Sequence, residues 1–205
     1  EGDSITKIDD VYINSTEELI EAINTKNGEE VKMSKRSGKA ITLSDLLDEV
    51  GSDALRYFYV AKSLSTHMDL DLDLMKQKSN DNPVFYAQYA NARICSVIKN
   101  YESTGKIFVP VTEFKTIDLN KTKDICLLLL QYPSVIQEAA TKRLVHKLTH
   151  FINELAYLLH SYYNDEKIIT EDEELTREKL TIITAIQTVL VDALNLIGVS
   201  APEKM

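Results

Sequence analysis

Apolar positions follow two different rhythms along these 205 residues. Near the start, Ile5, Ile8, Val11 and Ile13 fall in two short strand-like runs around Asp9-Asp10. Ser15-Thr16-Glu17-Glu18 then offers an N-cap with first-turn carboxylates, predicting a helix that leads into Leu19–Ile23. After residue 41 the spacing becomes helical. Ser44 is placed to cap a helix with Leu46, Leu47 and Val50 on one face. Gly51 interrupts it, Ser52 caps again, and an aromatic-rich piece runs from Ala54 to Ser63. Asp69–Leu74 alternates carboxylate and leucine, a period of two that predicts a short extended segment.

Asn82-Pro83 opens the next helix, with proline in the first turn where its missing N–H costs nothing. Within Val84–Tyr101, Phe85, Tyr89, Ala92 and Ser96 lie near one stripe, and Tyr86, Arg93 and Val97 near another. A connection over Glu102–Asn120 precedes three more amphipathic helices, at roughly 121–139, 142–163 and 174–197. Thr141-Lys142-Arg143 and the acidic stretch Asp165–Glu174 mark the breaks between them. The predicted fold is mainly α, a helical bundle with a short mixed α/β segment ahead of it.

Charge changes the picture once it is divided along the chain. The whole carries −9, but residues 1–30 alone account for −7, leaving −2 for residues 31–205. Asp165–Glu174 adds six carboxylates against Lys167. Outside these blocks the chain is slightly basic, so a nucleic-acid partner is compatible with the composition. Cys95 and Cys126 lie far apart in apolar helical patterns, as small buried hydrophobes in a reducing compartment would. The longest uncharged apolar run, near Ile125–Tyr132, is too short to span a bilayer, and no signal peptide is visible.

The densest candidate chemistry is Lys32-Met33-Ser34-Lys35-Arg36-Ser37-Gly38. With Lys39 it gathers a net +4 over eight residues. Flexible cations beside serine and glycine suit a loop that closes over a polyphosphate. The alternative is an exposed basic turn. Ten tyrosines and no tryptophan make tyrosine the candidate platform for unstacked bases, although a tyrosine at helical spacing is more often core or rim. Arg56 and Arg93 sit in apolar helical surroundings and read as structural; Asp53 and Arg56 are spaced for an intrahelical ion pair. His146, His150 and Glu154 share one helix side, but HExxH is absent and His67 and His160 do not obviously converge on them. A polar helix face is preferred there, and no metal is expected.

These segments, taken in order, resemble a known family. The basic segment is similar to the KMSKS signature of class I aminoacyl-tRNA synthetases. Asp53-Ala54-Leu55-Arg56-Tyr57-Phe58, then Asn82-Pro83-Val84-Phe85-Tyr86-Ala87-Gln88-Tyr89-Ala90-Asn91-Ala92-Arg93, and finally Leu196-Ile197-Gly198-Val199-Ser200-Ala201-Pro202-Glu203-Lys204-Met205 look like the C-terminal part of a bacterial arginyl-tRNA synthetase. The likeness runs from about Gly28 to Met205. It implies a KMSKS-like loop with connecting helices over 29–80 and a helical anticodon-binding (DALR) domain over 81–205. It also implies that Tyr86, Tyr89, Tyr163 and Met205 meet tRNA, and that Lys32, Met33, Ser34, Lys35 and Arg36 form the ATP loop. Lys35 would stabilise the departing pyrophosphate with help from Lys32; Arg36 replaces the usual final serine. The implied partners are arginine tRNA, arginine, and ATP as its Mg2+ complex, in a cytoplasmic, monomeric enzyme with no bound metal or prosthetic group.

The His-Ile-Gly-His type motif of the family's nucleotide-binding domain is absent from this sequence, so this chain alone is expected not to charge tRNA. Residues 1–28 stand apart: Gly2–Leu19 resembles the central strand, turn and helix start of a PDZ domain. Three readings follow. They are the loop and anticodon-binding part of an arginine–tRNA ligase, a non-catalytic helical tRNA-binding module, and a PDZ-linked interaction protein. The first is favoured.

Overall fold

The computed structural model describes residues 42–205 apart from Leu64, Ser65 and His67, together with the backbone of four short strands between Lys7 and Lys32. β1 (Lys7–Ile8) and β2 (Val11–Tyr12) pair antiparallel, with Ile8 opposite Val11. These are the two apolar runs flanking Asp9-Asp10. β3 (Ile23–Lys26) and β4 (Glu29–Lys32) form a second antiparallel pair with Lys26 opposite Glu29. Ile23, expected at the end of a helix, is therefore the first residue of a strand. β5 (Leu70–Asp71) lies parallel to β3, giving a three-stranded sheet in the order β4-β3-β5.

α1 (Leu43–Val50) is capped two residues earlier than expected. Thr42, not Ser44, is its N-cap: Thr42 Oγ1 accepts from the Asp45 N–H while the Asp45 carboxylate accepts from the Thr42 N–H. Each side chain satisfies an orphan donor of the other, which Ser44 has no partner to do. α2 (Ser52–Val60) follows Gly51, which is its N-cap, so Ser52 is inside the helix rather than capping it. Extended structure at Asp69–Leu74 is confined to Leu70–Asp71. The Asp71 carboxylate then caps the Leu74 N–H and the chain turns into α3 (Leu72–Lys76), burying Leu72 and Met75.

The bundle itself comprises α4 (Pro83–Glu102), α5 (Leu119–Lys142), α6 (His146–Asp165) and α7 (Glu173–Leu196). Their bounds lie within a few residues of those the periodicity predicts. Asn82 caps α4 through the Val84 N–H, and Asp172 caps α7 through the Glu174 and Leu175 N–H groups. α5 runs three residues beyond the expected 139 and ends at the Thr141-Lys142-Arg143 break, where Arg143 adopts the left-handed conformation (φ 57°) and donates its N–H to the Ala139 carbonyl. α6 packs against α4, α5 and α7, and α2 leans on α4 and α6. The centre is Leu155, Leu159, Leu180, Ile183, Ile186 and Leu190, all fully buried.

α7 alone among the described helices is long and apolar enough to cross a bilayer, contrary to the expectation from uncharged runs. Its apolar stripe is the bundle core, with Ile183, Ile186, Leu190 and Leu194 at 0% exposure, so packing against helices accounts for its composition. Tyr57, also fully buried, ties α2 to α6 by donating to Asn153 Oδ1 at 2.7 Å.

Glu166 and Glu173 of the acidic stretch around the α6–α7 junction are paired within the fold. Glu166 pairs with Lys121 and with the buried Lys179, and Glu173 with Lys106 while accepting from the Tyr101 hydroxyl. Glu178, wholly buried on α7, accepts from the backbone N–H groups of Lys115, Thr116 and Ile117. Burial by itself would raise this carboxyl, but the ring of N–H donors holds it below its ordinary value. It pins the connection between α4 and α5 to α7.

Candidate nucleic-acid interface

Tyr86 and Tyr89 stand three residues apart on α4, and Tyr163 sits near the end of α6. Their rings meet around two side chains from the same helices. The His160 imidazole of α6 lies against Tyr86 (ring centroids 4.4 Å) and stacks on Tyr89 (5.5 Å, interplanar 17°). Phe85 stacks on Tyr89 at 6.1 Å. The Arg93 guanidinium covers the Tyr163 ring at 3.6 Å and stands 6.0 Å from the Tyr89 centroid. Cation–π contact of this kind fixes a planar cation against an aromatic face. The cluster is half in solvent: Tyr89 is 38% exposed, while His160 beneath it is 6% exposed.

Met205 joins the same surface from another direction. Gln88 Nε2 donates to the Asp53 carboxylate (2.8 Å) and to the Ser200 carbonyl (3.0 Å), and the Ser200 hydroxyl donates to Asp53. Asn91, 2% exposed, donates to the carbonyls of Ala201 (3.0 Å) and Pro202 (2.9 Å). Lys99 pairs with Glu203 at 2.9 Å. These contacts lay the segment 200–205 along α4 and bring Met205 to a groove of about 560 Å³ that it lines with Asp53, Met75, Phe85, Gln88 and Tyr89. The ion pair expected between Asp53 and Arg56 is not found among the described residues. Asp53 serves the tail instead, and Arg56 lies over Gly198.

The structure thus brings Tyr86, Tyr89, Tyr163 and Met205 to one face, and flat rings with a grooved, partly apolar floor are what unstacked bases require. Lys32 lies in β4, and its side chain is outside the described residues; Met33, Ser34, Lys35 and Arg36 lie outside them altogether. Arg93, His160 and Asn91 are the residues that sequence reading passed over or took as structural. His146 and His150 lie edge to face at 6.2 Å. Among the described residues no group of three His, Cys, Asp or Glu side chains is arranged to hold a metal.

This helical bundle, with its aromatic face beside a clamped tail, lies in the part of the chain that sequence comparison assigns to an anticodon-binding domain. The family described as "DALR anticodon binding domain" matches residues 87–205, and "tRNA synthetases class I (M)" matches residues 14–94. The chain belongs to the DALR anticodon-binding domain family. Its relatives are arginine–tRNA ligases: those of Bacillus licheniformis and Bacillus subtilis are each 50% identical over 190 residues, 92% of this chain and 34% of theirs. The chain therefore spans about a third of the length of these curated relatives. A Campylobacter jejuni structure described as an arginyl-tRNA synthetase superposes with a TM-score of 0.77 at 28% identity, covering 90% of this chain and 39% of that one. The Thermus thermophilus arginyl-tRNA synthetase shares the fold at a TM-score of 0.63 and 23% identity, covering 83% of this chain and 29% of that one. The class I match reaches back to residue 14, into the segment that resembles a PDZ domain, and lends that likeness no support.

Proposed function

We propose that this chain is the loop-bearing, anticodon-reading part of an arginine–tRNA ligase. It binds arginine tRNA through Tyr86, Tyr89, Tyr163 and Met205, and lends the segment Lys32–Arg36 to ATP-dependent formation of arginyl-adenylate. The observation that supports this best is the convergence of three tyrosines from α4 and α6 on Arg93 and His160, in the region that the DALR family matches or directly adjoins. Residues 81–205 are the anticodon-binding unit, 29–80 the loop and its connecting helices, and 1–28 a short N-terminal segment whose β3 pairs with β4 and β5 of the neighbouring unit.

In the reaction, the arginine carboxylate attacks the α-phosphate of ATP, forming arginyl-adenylate and releasing pyrophosphate. The arginyl group then passes to the 3′-terminal ribose of the tRNA. ATP enters as its Mg2+ complex, a substrate rather than a resident cofactor. Lys35 offsets charge growing on the departing pyrophosphate, with Lys32 beside it and Met33 and Ser34 shaping the loop. Arg36 adds a further cation. Arginine and most of ATP are held by the part of the enzyme outside the matched third. The setting is the cytoplasm and the working unit a monomer.

Filter binding of the purified chain to arginine tRNA and to a non-cognate tRNA tests the reading. Preferential but weak binding of arginine tRNA, without aminoacylation, is expected. Equal binding of both tRNAs would leave only a general RNA-binding module, and robust charging by this chain alone would overturn its assignment as a part.

A further inference from the structure

We propose that His160 is a positioning residue for the tyrosine face, wedged between Tyr86 and Tyr89 and holding Arg93 in place. The inference rests on the tRNA-binding reading above. Its basis is that this buried ring leaves neither nitrogen idle. Nδ1 is 3.2 Å from Nη1 of Arg93. A guanidinium only donates, so Nδ1 must accept, which puts the imidazole proton on Nε2. Nε2 in turn lies 3.3 Å from the Tyr86 carbonyl, and donates to it. One neutral tautomer therefore joins α6 to the backbone that carries Tyr86 and to the arginine lying on Tyr163. Asn164 Oδ1 accepts from Nη2 of Arg93 at 3.3 Å, fixing the guanidinium's second edge. A histidine that merely filled the core would explain its burial, but not the use of both nitrogens on the elements that present the tyrosines.

Protonation would undo this arrangement. A second proton on Nδ1 would point at the N–H groups of Arg93, setting donor against donor and cation against cation. The groups facing the ring are Tyr86, Tyr89 and Arg93 from α4, while Tyr163 and Asn164 of α6 hold the far side of the Arg93 guanidinium. None of them is a carboxylate that would favour the charged ring. Burial lowers the imidazole's pKa, the Tyr86 carbonyl opposes the change, and the Arg93 charge adds to it.

Three variants separate the roles of the two nitrogens. His160→Asn places an amide oxygen near the position of Nδ1, His160→Gln places an amide N–H near that of Nε2, and His160→Phe keeps only the ring. Binding of arginine tRNA to each full chain is measured at pH 7.5 and at successively lower pH through the titration of the imidazole. Nitrogen NMR of the imidazole and of the Arg93 side chain is recorded on the free protein. The parent should show the neutral Nε2–H tautomer with a restrained guanidinium, and bind progressively more weakly once the pH falls below the lowered imidazole pKa. His160→Asn should keep most of the affinity and lose that pH dependence, whereas His160→Gln and His160→Phe should be about tenfold weaker at pH 7.5. An Nδ1–H tautomer, an unchanged affinity in a folded His160→Phe protein, or the parent's pH profile in His160→Asn would each overturn the proposal. Should His160→Phe fail to fold, the Asn and Gln variants still decide. If the parent itself does not bind arginine tRNA, the proposed function fails, while the tautomer and guanidinium measurements on the free chain still test the positioning role.

Discussion

Arg56 lies so close over Gly198 that a Cβ on the glycine would stand 2.9 Å from the arginine Cδ. Gly198 also has φ 71°, in the left-handed region that side chains resist. The turn it forms ends α7 and launches the segment that carries Met205 past Asn91. Gly198→Ala should therefore cost about 1–3 kcal/mol, from backbone strain and displacement of Arg56. Chemical denaturation would measure it. A cost below a few tenths of a kcal/mol would mean that neither the conformation nor the arginine contact constrains this turn.

Tyr86 and Tyr89 are predicted to support unstacked bases. Replacing either with alanine should weaken binding of arginine tRNA by ~1–3 kcal/mol while leaving its salt dependence nearly unchanged, because stacking releases few counterions. Thermal melts must accompany the binding curves, since both rings also touch His160. Tyr→Phe at each position keeps the ring and tests the hydroxyl alone. Folded alanine variants that bind parental and anticodon-swapped tRNAs as the parent does would remove the rings from the interface.

For Lys35, the predicted effect is on chemistry rather than on binding. With the chain joined to a complete nucleotide-binding domain, Lys35→Ala should slow arginine activation by roughly 10²–10³, the loss expected when a preorganised charge contact to a transition state disappears. Pyrophosphate exchange reads this step. Affinity for tRNA should hardly move, and an unaltered exchange rate would strip the lysine of its assigned role.

Glu178 supplies a test of stability. Its carboxylate holds three backbone N–H groups of the connection before α5, and Glu178→Gln sets an amide N–H against one of them. A loss of about 1.5–3 kcal/mol is expected, the range for hydrogen bonds to a charged group. The pH dependence follows from the lowered carboxyl pKa. The stabilisation is complete above the ordinary carboxylate value and is lost as pH falls below it towards the lower folded-state value. Acid unfolding of the parent should therefore lose part of its steepness in Glu178→Gln. Identical acid transitions would show that this carboxylate does not contribute.

The long bundle helices were legible because their apolar residues recur over five or six turns, enough to locate α4 to α7 and the tyrosines they carry. Local competition was harder to read. Thr42 and Ser44 are both good caps by type, and only the reciprocal bonds with Asp45 decide between them. Asp53 looked suited to Arg56 by spacing, yet Gln88 and Ser200, brought together by tertiary packing, are its partners. His160 and Arg93 are 67 residues apart, and Glu178 lies 61 to 63 residues from the N–H groups it holds. No local pattern encodes such pairings. The resemblance to arginyl-tRNA synthetases gathered Tyr86, Tyr89, Tyr163 and Met205 into one surface, but not the polar side chains that support them.

The parallel pairing of β3 with β5 joins two distant parts of the chain in one small sheet. β4 runs up to Lys32, at the edge of the basic segment, while β5 leads directly into α3, whose Met75 and Lys76 line the groove beside Tyr89. Both strands hang from β3, with Asn24 opposite Val31 on one side and Leu70 on the other. The covalent route between those two places runs through α1 and α2, whereas the hydrogen-bonded route crosses one strand. The edge of the basic segment and the floor of the groove are thus one strand apart in a single sheet, although dozens of residues separate them along the chain.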